Sequence, residues 1–203
     1  MKATLVEDLS WRKLAFLLKG GAVVVMPTDT IYGICGSALI KKTVEKIYEL
    51  RKRTPQKPMI ILISSLRDLK TFKINIAKKD KEILKKIWPA RISVILECQG
   101  KKFEYLHRGT KTLALRLPPN NFLKNVLKIS GPLVAPSANW EGETPAETAL
   151  EAKKYFGKRV VYYNGGKMIN QASTLIKLKN GKLEMIRKGE DWQKLKMLKL
   201  KKQ

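Results

Sequence analysis

The alternation of apolar and polar positions divides the chain into strand-sized apolar runs separated by amphipathic stretches. Ala22–Met26, Met59–Ser64, Ile92–Glu97 and Leu133-Val134-Ala135 read as buried strands, because each is short, apolar and bounded by Gly, Pro or polar residues. Thr112-Leu113-Ala114-Leu115-Arg116 alternates instead, which puts Thr112, Ala114 and Arg116 on one face of a strand. An arginine beside two small residues can line a pocket wall, and it fits an edge strand with one polar face equally well. Helical spacing predicts a helix behind Ser10 with Leu14, Leu17 and Leu18 inward, stopped by Gly20-Gly21. Further helices are predicted over Lys42–Arg53 (Val44, Ile47, Tyr48 and Leu50 inward), Ala77–Trp88, Asn121–Ile129 and Ala146–Phe156. Lys101–Lys111 reads as a charged loop. Val160–Tyr163 is a strand, and Ala172–Lys177 and Leu183–Arg187 form a hairpin through Asn180-Gly181.

Strands and helices mix, with at least one hairpin, so the class is α/β with a mixed, twisted sheet. With 203 residues and no internal repeat or low-complexity linker, a single domain is expected over residues 1–190. Residues 191–203 form a basic amphipathic tail with Trp192, Leu195 and Leu198 at helical spacing, expected to pack on the body.

Composition changes this picture mainly through charge. The formal net charge of +25 implies an anionic partner such as a nucleotide, RNA or an acidic surface. Lysine is spread along the whole chain, however, as it is on any solvated surface, so the few arginines at element ends are more informative. No apolar run reaches the length of a membrane span, and Met1–Ser10 carries Glu7 and Asp8 without an apolar signal core. Cys35 and Cys98 make no disulfide framework, so the expected setting is cytoplasmic and off the membrane. With His107 the single histidine, no zinc or iron centre is expected.

The candidate chemistry clusters at strand ends. Pro132–Glu147 runs from a buried strand into Ser137-Ala138-Asn139, a turn at Gly142, then Thr144 as a helix N-cap with Pro145 at the first helical position. Such a strand end can hold an anion, and it serves equally as an ordinary capped turn. Pro27–Gly33 is a polar, glycine-bearing loop after another strand. Arg51, Lys52 and Arg53 close a helix, where they offset its dipole, but Lys57 in the following loop has no such excuse. There is no Ser-His-Asp set, no Walker loop and no Gly-x-Gly-x-x-Gly. What remains is cationic and hydroxyl-rich: Thr28, Thr30, Arg51, Arg53, Lys57, Thr112, Arg116, Ser137, Asn139, Thr144, Ser173 and Arg187. Such groups bind phosphates and a carboxylate, and promote phosphoryl or nucleotidyl transfer by positioning and charge neutralisation.

These segments, in this order, resemble the YrdC/Sua5 family of threonylcarbamoyl-AMP synthases. The matching pieces are Pro27–Gly33, Arg51-Lys52-Arg53 with Lys57-Pro58-Met59, and Trp88-Pro89. Thr112–Arg116, Ala135–Asn139, Ala172-Ser173-Thr174 and Arg187-Lys188-Gly189 follow. The resemblance implies a single-domain twisted sheet with a concave, positively charged cavity flanked by helices. It implies a nucleotidyltransferase that condenses L-threonine, bicarbonate and ATP to L-threonylcarbamoyladenylate and pyrophosphate, with Mg²⁺ bridging the phosphates. The product would be handed to a tRNA threonylcarbamoyltransferase complex for N6-threonylcarbamoylation of adenosine 37. Carried over by motif, Arg51, Arg53, Ser137 and Asn139 form the family's catalytic signature. Arg53, Lys57, Thr112, Ser137, Thr144 and Arg187 would hold ATP, and Thr30, Arg116, Ala135 and Ser173 would hold threonine. Arg51 stands where the family usually has lysine, and Leu62 where many members place histidine. The chain resembles the short form, without an extra C-terminal domain. The alternative reading is an RNA-binding module, for double-stranded RNA, tRNA or the ribosome, without synthase activity; dispersed aromatics weigh against it.

Overall fold

The computed structural model describes residues 5–6 and 9–197; Glu7, Asp8, Leu198 and the rest of the tail lie outside the described residues. Among the described residues, ten strands form one mixed, twisted sheet: β1 (Leu5–Val6), β2 (Val24–Pro27), β3 (Tyr32–Ser37), β4 (Ile60–Leu62), β5 (Ile92–Glu97), β6 (Thr112–Arg116), β7 (Leu133–Val134), β8 (Val161–Tyr163), β9 (Thr174–Lys179) and β10 (Lys182–Arg187). Their order is β1-β8-β2-β3-β7-β4-β6-β5-β9-β10. Parallel pairs (β1 with β8, β2 with β8, β4 with β6, β5 with β9) are mixed with antiparallel ones (β2 with β3, β3 with β7, β4 with β7, β5 with β6, β9 with β10). The α/β class with a mixed sheet is therefore what the structure has.

The two faces are covered differently. One carries the larger core, from Val25, Tyr32 and Ile34 through Ile61, Leu113 and Leu115 to Ile176 and Leu178. Buried residues of α2 (Lys41–Leu50), α3 (Lys78–Ile87), α4 (Glu104–His107) and α6 (Ala149–Phe156) complete it. On the other face, α1 (Trp11–Lys19) and α5 (Asn121–Ser130) pack together over Val24, Met26, Cys35, Leu62, Leu133 and Ala135. That layer stops short of the far strands. Ala114, Ile95, Leu175 and Lys177 stay half-buried while their alternate neighbours Leu113, Leu96 and Ile176 are in the core. The half of the face over β6, β5 and β9 is thus left open, as period-2 alternation with one uncovered side requires.

Several elements differ from the sequence reading. Leu17 is 38% exposed, so α1 turns Leu14, Ala15 and Leu18 inward. Tyr32–Ser37 is a strand rather than the end of a loop. Its glycines hide it from pattern reading, yet Gly36 is required, since a Cβ there would run into Thr43 Cγ2 of α2. The stretch Lys101–Lys111 is not a plain loop. It forms a short 3₁₀ turn and α4, with Phe103, Leu106 and His107 buried and Phe103 edge-on to Phe72. The helix expected from Ala146 begins at Ala149, and Thr148 rather than Thr144 caps it, its hydroxyl accepting from Glu151 N–H at 3.1 Å. Pro145 accordingly lies outside the helix, and Thr144 is exposed. The hairpin turn holds as read, with Asn180 and Gly181 both at positive φ and Gly181 N–H bonded to the buried Asp80. In the tail, α7 (Trp192–Met197) sets Leu195 against the larger core, and Lys194 Nζ donates to the Ile87 carbonyl at 2.8 Å.

Candidate active site

Two polar clusters gather most of the candidate residues. The inner one begins on the turn between β2 and β3. Thr28 Oγ1 donates to the Ile31 carbonyl at 2.7 Å, closing the turn, and lies 3.2 Å from Thr30 Oγ1. Asp29 between them accepts from Arg116 Nη2 at 2.8 Å, with both side chains almost fully buried. Arg116 Nη1 lies 3.4 Å from Ser93 Oγ, and Ser93 Oγ is 2.9 Å from Ser173 Oγ. Arg187, on the exposed edge strand β10, donates to the Ser173 carbonyl at 2.8 Å. A continuous polar string therefore crosses the sheet from β2 to β10. Ser173 is fixed there by a close backbone crossing, where a Cβ at Gly189 would strike the Ala172 carbonyl. Burial lowers the Arg187 pKa, and the nearby charge of Arg116 adds to that.

The outer cluster is built where α2 ends. The chain turns at Arg51, whose N–H caps back to the Ile47 carbonyl, and the side chain folds inward. Arg51 Nε donates to the Ser137 and Asn139 carbonyls at 2.8 and 3.1 Å, and Nη2 to Ser137 Oγ and Asn139 Oδ1 at 3.1 and 3.2 Å. Asn139 is oriented in turn by Nδ2 donating to the Trp140 and Glu143 carbonyls. Burial, with Arg53 nearby, pulls the Arg51 pKa down to about 10, which still leaves it charged at neutral pH. Ser137 is set by a bridge to Gly33, and Ala135 by its N–H to the Ile60 carbonyl.

Next to it, the loop from Arg53 to Pro58 makes an anion seat. Arg53 donates to the Lys57 and Pro58 carbonyls, which shapes the loop. The Glu141 carboxylate fills the seat, accepting from Thr54 N–H, from Thr54 Oγ1 at 2.7 Å and from Lys57 Nζ at 3.0 Å, with Arg53 Nη1 at 3.9 Å. These donors, Thr54 first, hold the Glu141 pKa down at about 2.

Of the residues singled out from the sequence, Arg116 and Ser173 share the inner string with Arg187, and Thr30 adjoins it. Arg51, Arg53, Lys57, Ser137 and Asn139 meet in the outer one, and Ala135 lies on the chain leading into it. Thr112 belongs to neither. Its hydroxyl bonds that of Thr110, about 13 Å along β6 from Arg116 at strand rise, towards the end where β4 begins. Thr144 is also separate, at the rim of a cavity of about 330 Å³ lined by Trp140, Tyr155 and Lys154. Sequence reading passed over Asp29, Ser93, Thr54 and Glu141. Asp29 lies between two flagged threonines and Ser93 is the lone hydroxyl in an apolar strand, so both left a trace. Glu141 and Thr54 left none.

The geometry defines an α/β sheet protein in which buried arginines and hydroxyls gather in two polar clusters. The family model described as "Telomere recombination", for Sua5, YciO and YrdC, matches residues 16–189. The chain belongs to that family. It is 28% identical over 187 residues to the threonylcarbamoyl-AMP synthase of Pyrococcus abyssi, covering 91% of this chain and 55% of that protein. Against the threonylcarbamoyl-AMP synthase of Bacillus subtilis it is 32% identical over 147 residues, 71% of this chain and 42% of that one. The chain thus spans about half the length of these relatives. The solved structure of P. abyssi Sua5 complexed with L-threonine superposes with a TM-score of 0.80 at 28% identity, over 90% of this chain and 56% of the other. Escherichia coli YciO shares the fold at a TM-score of 0.78 and 22% identity, over 93% and 95% of the two chains.

Proposed function

We propose that this chain is an L-threonylcarbamoyladenylate synthase, a nucleotidyltransferase acting in tRNA modification. The observation that carries the proposal is the Arg51 guanidinium held by both the backbone and the side chains of Ser137 and Asn139. Arg51 and the Ser137–Asn139 segment, more than eighty residues apart in sequence, thereby form one cationic, hydroxyl-bearing unit beside the Arg53–Lys57 anion seat. The names of the relatives, and the threonine bound in the P. abyssi Sua5 structure, support the same reading.

In this reading threonine is held by Arg116 and Ser173 of the inner string, by Thr30 beside it, and by Ala135 on the chain leading into the outer cluster. The ATP phosphates take the seat of Arg53 and Lys57, with Ser137, Thr112, Thr144 and Arg187 along the nucleotide. The threonine amine forms a C–N bond to the bicarbonate carbon with loss of water, giving a carbamate. A carbamate oxygen then bonds the α-phosphorus while the bond to the β,γ-pyrophosphate breaks. Arg51, Arg53 and Lys57 neutralise the charge that develops on the transferred and leaving phosphates, the largest contribution such groups make. Mg²⁺ would enter with ATP. The donors here are hydroxyls and cations, and no group of three or more His, Cys, Asp or Glu side chains gathers among the described residues, so the phosphates would hold the ion. Hand-over of the product to a tRNA threonylcarbamoyltransferase complex belongs to the same proposal, as does a cytoplasmic setting.

The test is pyrophosphate release from ATP and bicarbonate with threonine, serine or no amino acid, for the unmodified chain and Arg53→Ala. Threonine-dependent release that falls at least about 100-fold in the variant is expected. No release with any amino acid from folded protein would sink the proposal and return attention to RNA binding, which would weaken steeply with salt.

A further inference from the structure

The Arg53–Pro58 loop carries the anion seat, yet little holds it in place. Lys57 N–H donates to the Thr54 carbonyl at 3.1 Å, which closes a turn inside the loop. Arg53 reaches along the loop to the Lys57 and Pro58 carbonyls, both at 3.0 Å. On one side, Pro55 and Gln56 border an open cleft of about 420 Å³ whose walls include Tyr105 and Arg108, so packing does not fix the loop there. Among the described residues, the hydrogen bonds that tie it to the rest of the fold come from two sources, the Glu141 carboxylate and Tyr48. A phosphate entering the seat takes the place of the first and leaves the loop on the second.

Tyr48 is itself firmly held. It lies in the last turn of α2, 6% exposed, and its hydroxyl donates to the Lys57 carbonyl at 2.9 Å. The same carbonyl accepts from Arg53 Nε, so both its lone pairs are used and its direction is fixed. The Arg108 guanidinium covers the Tyr48 ring, with Cζ 4.0 Å from the ring centroid. Glu45, one turn before Tyr48 on α2, anchors Arg108 at 2.8 Å. Burial raises the Tyr48 pKa from its ordinary 10, against the opposing charges of Arg108 and Arg53, so the hydroxyl stays a donor at neutral pH.

We infer that Tyr48 is a positioning residue of the anion seat. Its hydroxyl, backed by Arg108, fixes the Lys57 carbonyl and so aims the Arg53 guanidinium and the Lys57 ammonium at the bound phosphates. The synthase reading enters only in naming those phosphates as the ones of ATP.

The experiment is calorimetric titration with inorganic tripolyphosphate at physiological salt, for the unmodified chain, Tyr48→Phe, Arg53→Ala and the double variant. Tripolyphosphate needs the seat and nothing else of the site. Tyr48→Phe keeps the ring beneath Arg108 and removes one hydroxyl. It should weaken binding about 10-fold in the unmodified chain, the worth of one hydrogen bond, and less than about 2-fold once Arg53 is gone. A merely structural hydroxyl would cost the same with or without Arg53. Equal losses in the two backgrounds, a loss below about 2-fold in the unmodified chain, or no binding by that chain would therefore overturn the inference. Should Tyr48→Phe not fold by circular dichroism, Glu45→Gln decides. That change releases Arg108 yet makes the chain more positive, so charge alone would tighten the binding of an anion. Binding weakened by about 3-fold supports the inference, and equal or tighter binding overturns it. A chain that behaves as expected with tripolyphosphate yet releases no pyrophosphate from ATP would overturn the synthase proposal and leave the role of Tyr48 standing.

Discussion

Of the arginine–carboxylate pairs among the described residues, the one at the inner string and the one at the outer seat differ most usefully in depth. Arg116 and Asp29 lie at the bottom of the inner string, with side chains 3% and 1% exposed. At the outer seat, Glu141 is 22% exposed and its partners Arg53 and Lys57 are 17% and 61% exposed. A buried pair that loses one member strands a charge in low dielectric, whereas a rim pair is screened by water and exchanges its partners readily. The inner pair is therefore suited to fix a geometry, and the outer carboxylate to yield its seat to a phosphate. Glu141 can yield without moving the backbone, because its N–H stays bonded to the Arg51 carbonyl at 2.9 Å.

The largest expected effect tests the depth of the inner pair. Arg116→Met should destabilise the fold by about 3–5 kcal/mol in urea denaturation, since it leaves Asp29 buried and uncompensated. A loss below about 1 kcal/mol would place the pair with the rim and end the comparison.

Next comes Arg51, which belongs to the outer cluster but is itself buried. Arg51→Met should lower kcat/KM for ATP by about 100-fold or more, because it removes a charge together with every bond that Arg51 makes to Ser137 and Asn139. Arg51→Lys should recover only part of this, since an ammonium cannot reproduce the planar fork. Steady-state kinetics of the two variants side by side would read the split between charge and geometry.

Glu141→Gln sharpens the comparison from the other side. If the carboxylate competes with phosphate, the apparent KM for ATP should fall a few-fold while stability at neutral pH changes by no more than about 1 kcal/mol. An unchanged or raised KM would make the seat structural. The pH dependence has a definite sign. The Glu141 pKa drops from its ordinary 4.5 to about 2 in the fold, so its contribution is complete above 4.5 and disappears as pH falls towards 2. The difference in melting temperature between the unmodified chain and Glu141→Gln should close over that window.

The smallest effect concerns Cys35, packed near Arg116. Burial pushes its thiol up to about 12, against the opposing charge of Arg116, so it stays protonated and closed to reagents. Alkylation of Cys35 should require denaturant, and labelling of the native chain at neutral pH would mean that the inner region opens.

The positions of strands and helices were legible wherever one face is apolar and the other polar, as in α3, α5, β6 and the β9–β10 hairpin. They were obscured where a tertiary contact chose the residue. Gly33 and Gly36 carry no strand signal, and β3 exists because its neighbours need the backbone close. Phe103, Leu106 and His107 sit among charges, and only the packing of Phe103 on Phe72 makes that stretch more than a loop. Thr144 met every local rule for a cap, and Thr148, four residues on, took the place.

The sequence by itself determined the α/β class, the strand-end loops and the cationic and hydroxyl residue types, because local periodicity and turn chemistry act over a few residues. It also carried the motifs that place the chain in its family. The tertiary structure alone decided that Asp29 faces Arg116 across 87 residues, that Arg51 is claimed by Ser137 and Asn139, and that Glu141 fills the seat of Arg53 and Lys57. Such pairings follow from strand order and register, which no local pattern encodes, and burial then sets the strength of each.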